Sequence, residues 1–198
     1  MKPNIRHAFT VLASAALLVS CKDDPSGVPT VPENELVFVR QASTAPALAA
    51  TEVAFWAVAG DGRDIRVRYA NGENCLEFKV PGNGLLRRPD GTRFQRGDSV
   101  RITVRVTDPR RFSFEFEPSG LRFDPDHPAE LRMRYRYADP DLNGDGQVDS
   151  ADDRVDFALW RQEAAGQPWS RLGTVKDADL EEVRADITGF SKYAMASD

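Results

Sequence analysis

Cysteine and histidine are scarce in this sequence, and this scarcity limits the chemistry that the chain can perform. Two residues of each type occur among 198, whereas a zinc site draws several ligands from these types. A Ser-His-Asp triad needs a histidine beside a nucleophile, and no nucleophile motif accompanies His127, the histidine outside the N-terminal segment. We therefore expect no catalytic residues of these kinds and a non-enzymatic protein.

Basic residues are in the minority, and long apolar runs are confined to one place. Lysine and arginine number 26 against 31 acidic residues, which gives a formal net charge of −5 at pH 7. Clusters of cations interleaved with aromatic side chains are missing, so nucleic acid is not an expected partner. The long apolar run is residues 8–19, which is too short to span a membrane comfortably.

The N-terminal segment has the layout of an export signal. Lys2 and Arg6 precede the apolar run, which ends in Leu18-Val19-Ser20-Cys21. This ending resembles the lipobox of bacterial lipoproteins. The resemblance implies a signal peptide at residues 1–20, cleavage before Cys21, lipidation of its thiol and attachment to a membrane. An ordinary secretory signal that leaves Cys21 free is the alternative.

The residues that follow Cys21 indicate where the protein is delivered and where its folded domain begins. An aspartate after the cysteine would resemble an inner-membrane retention signal; Lys22 stands there instead, which favours the outer membrane. Residues 21–34 are rich in proline, glycine and aspartate and predict an extended, flexible tether. The domain is expected to occupy residues 35–198. Cys75 is then the one cysteine without lipid, so an internal disulfide is impossible and a buried, inert thiol is expected.

Short strands recur throughout the predicted domain, and none of its segments shows a convincing helical period. Residues 64–70 alternate, with Ile65, Val67 and Tyr69 on one face, and Asn71-Gly72 then predicts a hairpin turn. Residues 51–59 are largely apolar and are predicted to be buried. About ten such strands with polar connections predict an all-β fold, an antiparallel β-sandwich with one core between two sheets.

An acidic loop, residues 139–153, interrupts this succession of strands. Its sequence, DPDLNGDGQVDSADD, holds six aspartates, one asparagine and no cation. Carboxylates packed this closely repel one another, and a divalent cation would relieve the repulsion. Counted from Asp141, oxygen-bearing side chains fall at positions one, three, five, nine and twelve, with Gly146 at the sharp turn of position six. The spacing predicts one Ca²⁺ bound by Asp141, Asn143, Asp145, Gln147 through its carbonyl, Asp149 and Asp152.

The acidic loop resembles the calcium loop of EF-hands, and more closely that of dockerin repeats, where aspartate commonly takes position twelve. An EF-hand needs a flanking helix on each side and a dockerin needs a second repeat, and the sequence predicts neither, which disfavours a dockerin-like assembly role. The strand LRMRYRY precedes the loop and an alternating segment, residues 154–161, follows it, so we expect an insertion in a β-hairpin. Val148 is expected to pin the loop to the domain. A solvated acidic turn without an ion is the alternative.

The second half of the chain carries a further resemblance. Its most specific pieces are Pro118-Ser119-Gly120-Leu121, with Phe123 two residues on, and Phe190-Ser191-Lys192-Tyr193-Ala194. From about Val80 onward the chain is similar to the ZU5 domain of ankyrins, netrin receptors and bacterial surface lipoproteins. The resemblance implies a β-sandwich that mediates contacts between proteins. Some relatives cleave themselves at a His-Phe-Ser site, but Gly189 takes the histidine position here, so self-cleavage is not expected.

Two sets of predicted surface residues leave alternatives open. Outward arginines could form a cationic surface for anionic glycans or lipid headgroups, although pairing with acidic neighbours across strands is favoured. The three tryptophans could stack on sugars, and Trp160 is the best candidate for exposure because it alternates against Val155, Phe157 and Leu159, although packing is favoured for all three. The residues concerned are Arg66, Arg68, Arg101, Arg105, Arg132, Arg134, Arg136, Trp56, Trp160 and Trp169.

These patterns together predict a calcium-binding β-sandwich module that is anchored by lipid in the cell envelope and binds a protein or glycan partner there. The alternative function is a carbohydrate-active or carbohydrate-binding lipoprotein that uses acidic residues and tryptophans. Paired carboxylates for glycoside cleavage stay possible in that case, because acidic residues are plentiful.

Overall fold

The computed structural model describes residues 29–198, so the predicted signal peptide, the lipobox and Cys21 lie outside the described residues. No helix within residues 29–198 is both long and apolar enough to cross a membrane. Two short 3-10 helices occupy Glu33–Glu35 and Asp152–Arg154. The strands are β1 (Thr30–Val31), β2 (Val37–Phe38), β3 (Glu52–Val58), β4 (Arg63–Arg68), β5 (Asn74–Val80), β6 (Leu85–Arg87), β7 (Ser99–Asp108), β8 (Ser113–Glu117), β9 (Arg122–Phe123), β10 (Ala129–Arg134), β11 (Ala158–Gln162), β12 (Trp169–Arg171), β13 (Val175–Asp177), β14 (Glu182–Ile187) and β15 (Lys192–Ser197).

These strands form two packed antiparallel sheets. The eight-stranded sheet has the order β1-β12-β11-β15-β8-β7-β3, and β2 pairs with β15 as its eighth strand. The five-stranded sheet has the order β13-β14-β10-β5-β4, and β6 pairs with β9 in a separate ribbon. The predicted all-β, antiparallel sandwich is therefore confirmed.

The core lies between the inner faces of the two sheets. Phe78 of β5 packs against Phe116 of β8 and Phe190, with ring centroids 5.2 and 5.4 Å apart. The predicted alternation holds on β7, where Ile102 and Val104 are fully buried. Each such side chain contributes about 1.5–3 kcal/mol through its removal from water, so the pattern of alternate apolar residues is what joins the sheets.

The hairpin turn predicted at Asn71-Gly72 is present between β4 and β5. The two strands pair antiparallel, with Ile65 opposite Phe78. Gly72 has a φ of 87°, a left-handed backbone conformation that glycine adopts without a steric penalty. The local turn signal is therefore sufficient to set this connection.

Strand β3 is less buried than its composition predicts. Ala54 and Trp56 are exposed on the outer face, while Phe55 and Ala57 point toward the core. The prediction that residues 51–59 are buried as a unit is wrong, because β3 is the last strand of the eight-stranded sheet and one of its faces is open.

The N-terminal strap, residues 30–40, folds across the outer face of the eight-stranded sheet. Thr30 pairs with Ser170, and Phe38 pairs with Ala196 of β15. Leu36 packs with the two buried tryptophans and with Ala194 and Ala196 in a second apolar cluster outside the main core. The tether predicted at residues 21–34 therefore extends too far along the chain, because residues 30–34 already belong to the folded domain.

The acidic loop joins the two sheets. It follows β10, which lies in the five-stranded sheet, and precedes β11, which lies in the eight-stranded sheet. The prediction of an insertion in a β-hairpin is wrong, since β10 pairs with β5 and β14 and not with β11. The alternating segment predicted at residues 154–161 is a strand only from Ala158 onward.

Candidate metal centre

The first half of the acidic loop is shaped by its own side-chain oxygens. Asp141 Oδ1 accepts a hydrogen bond of 2.8 Å from the Gly144 amide, and its Oδ2 accepts one of 3.1 Å from the Gly146 amide. Gly146 has a φ of 89°, so the chain turns sharply at the position where the calcium-loop spacing requires a turn. Asn143 and Asp145 accept bonds of 2.9 and 2.8 Å from the amides two residues further on.

Asp152 closes the loop from its other end. Its Oδ1 accepts bonds of 2.8 and 3.0 Å from the amides of Leu142 and Asn143, and its Oδ2 accepts one of 2.9 Å from the Asp149 amide. The side chain is buried, which is unusual for an aspartate. The Asp149 amide, followed by that of Asn143, lowers the pKa of Asp152 below its usual value. Asp152 is thus an ionised clasp between the two ends of the loop.

Arg40 of the N-terminal strap reaches the acidic loop. Its Nη2 lies 2.9 Å from Asp141 Oδ2, and its carbonyl accepts a 2.8 Å hydrogen bond from the Asp139 amide. The carboxylate of Asp141 is little exposed, whereas the arginine is half exposed. The loop alone contains no cation, and this partner was missed from the sequence because it stands about a hundred residues earlier in the chain.

The predicted ligands occupy one loop, but their carboxylates face backbone amides and not a common centre. Among residues 29–198, no group of three or more aspartate, glutamate, histidine or cysteine side chains is placed to hold a metal ion. The donor set itself consists of carboxylate, amide and carbonyl oxygens, which suits a hard cation such as Ca²⁺. The residues that the spacing predicts, Asp141, Asn143, Asp145, Gln147, Asp149 and Asp152, therefore fit calcium in chemistry.

Val148 does not anchor the acidic loop. Its side chain is 65% exposed, so the prediction that it pins the loop to the domain is wrong. The attachment comes instead from Leu142, which packs against the main core, and from polar contacts of Asp152 within the loop and of Arg40 from the strap. The spacing identified Val148 as the apolar residue at position eight of the loop, but it could not show whether its side chain would contact the domain or solvent.

The outward arginines divide between the two sheets, and most of them contact carboxylates. Arg66 lies 2.6 Å from Glu77, and Arg132 lies 2.6 Å from Glu130. Arg105 is ion-paired with three carboxylates, and Arg134 and Arg136 also lie within 4 Å of acidic groups: Glu52, Glu115 and Glu117 for Arg105, Glu182 for Arg134, and Glu73 and Glu181 for Arg136. Ion pairing with acidic neighbours, partly across strands and partly along one strand, is therefore found for Arg66, Arg105, Arg132, Arg134 and Arg136, and no single cationic surface gathers all seven arginines.

The tryptophans contradict the predicted order of exposure. Trp160 is 1% exposed, and its indole N–H donates a 2.9 Å hydrogen bond to the Ala196 carbonyl. Trp169 is fully buried, and its N–H donates to Glu33 Oε2 at 3.3 Å. Trp56 is 56% exposed. Trp160 does face outward from its sheet, as predicted, but the N-terminal strap covers it.

Cys75 lies in the core, as expected of an inert thiol. It is fully buried on β5, and burial raises its pKa to about 11. A thiol with this pKa is almost entirely protonated at neutral pH, and the protonated form is a poor nucleophile. Burial therefore outweighs the hydrogen bond with Tyr69, which lowers the pKa, and Cys75 is not activated.

Searches against protein-family models, curated proteins and solved structures find no match to this chain. The resemblances to lipoproteins, to EF-hand and dockerin loops and to the ZU5 domain accordingly stay predictions that rest on the residues quoted for them.

Proposed function

We propose that this protein is a non-enzymatic lipoprotein of the cell envelope, a β-sandwich module that binds a surface partner and one Ca²⁺. Support for the anchor comes from Leu18-Val19-Ser20-Cys21 after a short apolar run with a basic start. Lys22 favours delivery to the outer membrane. The core between the sheets is filled with side chains, which suits a binding module whose ligands contact its surface.

The calcium proposal rests above all on the spacing of oxygen donors in the acidic loop. Asp141, Asn143 and Asp145 would supply side-chain oxygens, and Gln147 would supply its carbonyl. Asp149 and Asp152 would complete the set. The bound ion would supply positive charge among six aspartates, whose mutual repulsion otherwise works against a closed loop.

Isothermal titration of the purified, detergent-solubilised protein with CaCl₂ tests this proposal. We expect a one-to-one stoichiometry and an affinity between micromolar and millimolar, because the twelfth position carries the shorter aspartate. Asp145→Ala is expected to weaken binding at least tenfold. Asp126→Ala removes an exposed carboxylate from another loop and should leave binding unchanged.

The absence of heat at millimolar calcium would contradict the metal site. If Asp145→Ala and Asp126→Ala weakened calcium binding equally, the affinity would depend only on the overall charge of the protein and not on the acidic loop. Neither result would affect the proposed lipid anchor, which depends on Cys21.

A further inference from the structure

The open part of the outer face of the eight-stranded sheet carries an unpartnered tryptophan. Trp56 of β3 is 56% exposed. Among residues 29–198, no aromatic ring stacks on its indole, no cation lies over it, and its N–H donates no hydrogen bond. Trp160 and Trp169, on the same face, have hydrogen-bond partners and are covered by the N-terminal strap. Trp56 is thus a large apolar side chain exposed to water on the part of this face that the strap does not cover.

The residues around Trp56 on the outer face are a cation on the neighbouring strand and a small residue on its own strand. Arg101 of β7 is its direct partner in the antiparallel pairing, and Ala54, two residues along β3, is small. Arg101 forms no ion pair with any described residue, whereas Arg105, on the same face of β7, contacts three carboxylates. The guanidinium of Arg101 is therefore available to an anion from outside the protein.

A groove begins at Arg101 and runs across the sheet. A recess of about 410 Å³ is lined by Arg101, Thr103, Glu117, Pro118 and Ser119. A second recess of about 410 Å³ shares Glu117 and Ser119 with the first and extends to Lys192 on β15. The groove thus has a cation at each end, of which Lys192 lies 5.4 Å from the centroid of the Trp169 ring. Hydroxyl groups and three carboxylates, those of Glu115, Glu117 and Glu163, lie between them. Arg105 lies 3.5 and 3.7 Å from Glu115 and Glu117, and Arg161 lies 2.8 Å from Glu163, so neighbouring guanidinium groups offset the charge of these carboxylates.

We propose that this surface, the Trp56 face (Trp56, Arg101, Thr103, Glu117, Ser119 and Lys192), binds an acidic saccharide. An apolar face of a sugar ring would stack on the indole, and a sugar carboxylate would take the fork of donors on Arg101. Thr103, Ser119 and Glu117 offer hydroxyl and carboxylate groups to the sugar hydroxyls. This inference deepens the proposed binding role, on which it rests, by naming the chemical class of the partner.

The composition of the Trp56 face favours a saccharide over a protein partner. Protein interfaces have an apolar core of several residues surrounded by a polar rim. Here Trp56 is the one large apolar side chain that the described part of the chain exposes on the open part of the sheet face, and the groove beside it combines charged and hydroxyl-bearing side chains with the small apolar residues Pro118, Ala164 and Ala165. A sugar chain matches this alternation, because each ring combines an apolar face with hydroxyl groups at its edge.

Tryptophan fluorescence of the full-length protein in detergent tests the inference, because Trp56 is the one of the three tryptophans that solvent reaches. A galacturonate hexasaccharide is titrated in EDTA, with the same oligosaccharide after reduction of its carboxylates as the neutral control. We expect the hexasaccharide to lower the quenching of tryptophan by acrylamide and to shift its emission to shorter wavelength. The reduced oligosaccharide is expected to bind at least tenfold more weakly.

Matched variants locate the site, and their binding of the hexasaccharide is measured by isothermal titration calorimetry, because Trp56→Ala removes the fluorescent reporter. Trp56→Ala and Arg101→Ala should each weaken binding at least tenfold with an unchanged melting temperature, since both side chains are exposed. Arg68→Ala removes an exposed arginine from the other sheet and Leu180→Ala removes an exposed apolar side chain, and neither should alter binding.

Three results would overturn the inference: absence of binding by the hexasaccharide, equal binding of the reduced form, or binding that Trp56→Ala leaves intact. The inference would also be overturned if raising the protein concentration alone protected Trp56 from acrylamide. That result would identify a second copy of the chain as the partner that covers the Trp56 face. Because EDTA removes calcium, failure here is distinguishable from failure of the calcium proposal, which the titration with CaCl₂ reports separately.

Discussion

Arg40 occupies a position for which a metal ion would compete. Its guanidinium contacts Asp141, the first residue of the predicted calcium loop, and neutralises part of the loop charge without a bound ion. An arginine fixed by a salt bridge and a cation bound by the same carboxylate exclude each other in part. The affinity for calcium would therefore depend on a residue outside the loop.

Replacement of Arg40 by alanine should consequently tighten calcium binding. We expect a gain of up to about fivefold, because an exposed ion pair contributes about 0.2–1 kcal/mol. Arg63→Ala, which removes an equal charge from β4, is the control for long-range electrostatics. Titration calorimetry of both variants measures the difference, and weaker binding in Arg40→Ala alone would show that the arginine helps to organise the loop.

The tryptophans give a second contrast between single residues. Trp160→Ala should lower the free energy of unfolding by about 3–5 kcal/mol, because it empties a buried site and leaves the Ala196 carbonyl without its donor. Trp56→Ala should change the same quantity by less than about 0.5 kcal/mol, as is usual for exposed positions. Urea denaturation measures both, and comparable losses would contradict the assigned burial.

At the scale of elements, the N-terminal strap joins the outer face of the eight-stranded sheet to the acidic loop. Leu36 packs with Trp160 and Trp169, and Arg40 contacts Asp141. Val37, between them, has 37% of its surface exposed. The strap is thus held by Leu36 and Phe38 against the tryptophans and by Val39, which is buried in the main core.

Serine substitutions at neighbouring positions of the strap test this arrangement. Leu36→Ser removes the apolar contact that holds the strap over Trp160 and Trp169, so we expect their emission to shift to longer wavelength and acrylamide to quench them more strongly. Val37→Ser, one residue along, should have much the smaller effect. The assigned packing is contradicted if the two variants behave alike.

At the scale of the whole molecule, the acidic loop crosses from one sheet to the other, and the proposed anchor lies at the other end of the strap. A cation bound at residues 141–152 would hold a connection between the two sheets and not a hairpin within one of them. The strap that contacts the loop also leads back to the predicted lipid on Cys21. The strap therefore contacts the proposed calcium site in space and begins nine residues after Cys21, the proposed site of lipidation.

Metabolic labelling with a radioactive fatty acid tests the anchor directly. The wild-type protein should incorporate label and sediment with membranes, because several acyl chains hold a protein far more firmly than one. Cys21→Ser should lose both properties, whereas Cys75→Ser, which changes the buried thiol, should keep the label. Label retained in Cys21→Ser would refute lipidation at this residue.

Local patterns in the sequence were sufficient for much of the fold. Alternation placed Ile102 and Val104 in the core, because neighbouring side chains on a strand must point to opposite faces. Asn71-Gly72 identified its hairpin through the backbone freedom of glycine. The spacing within residues 139–153 likewise identified the sharp turn at Gly146 without information from the rest of the chain.

Tertiary structure decided which surfaces are covered and which residues meet. Alternation showed that Trp160 faces away from the core, but only the distant strap determines that it is buried and that Trp56 is not. Tertiary packing also determined three further features. Arg40 pairs with Asp141, β10 and β11 belong to different sheets, and Val148 is exposed. Each depends on contacts between segments far apart in the chain, and local periodicity carries no information about such contacts.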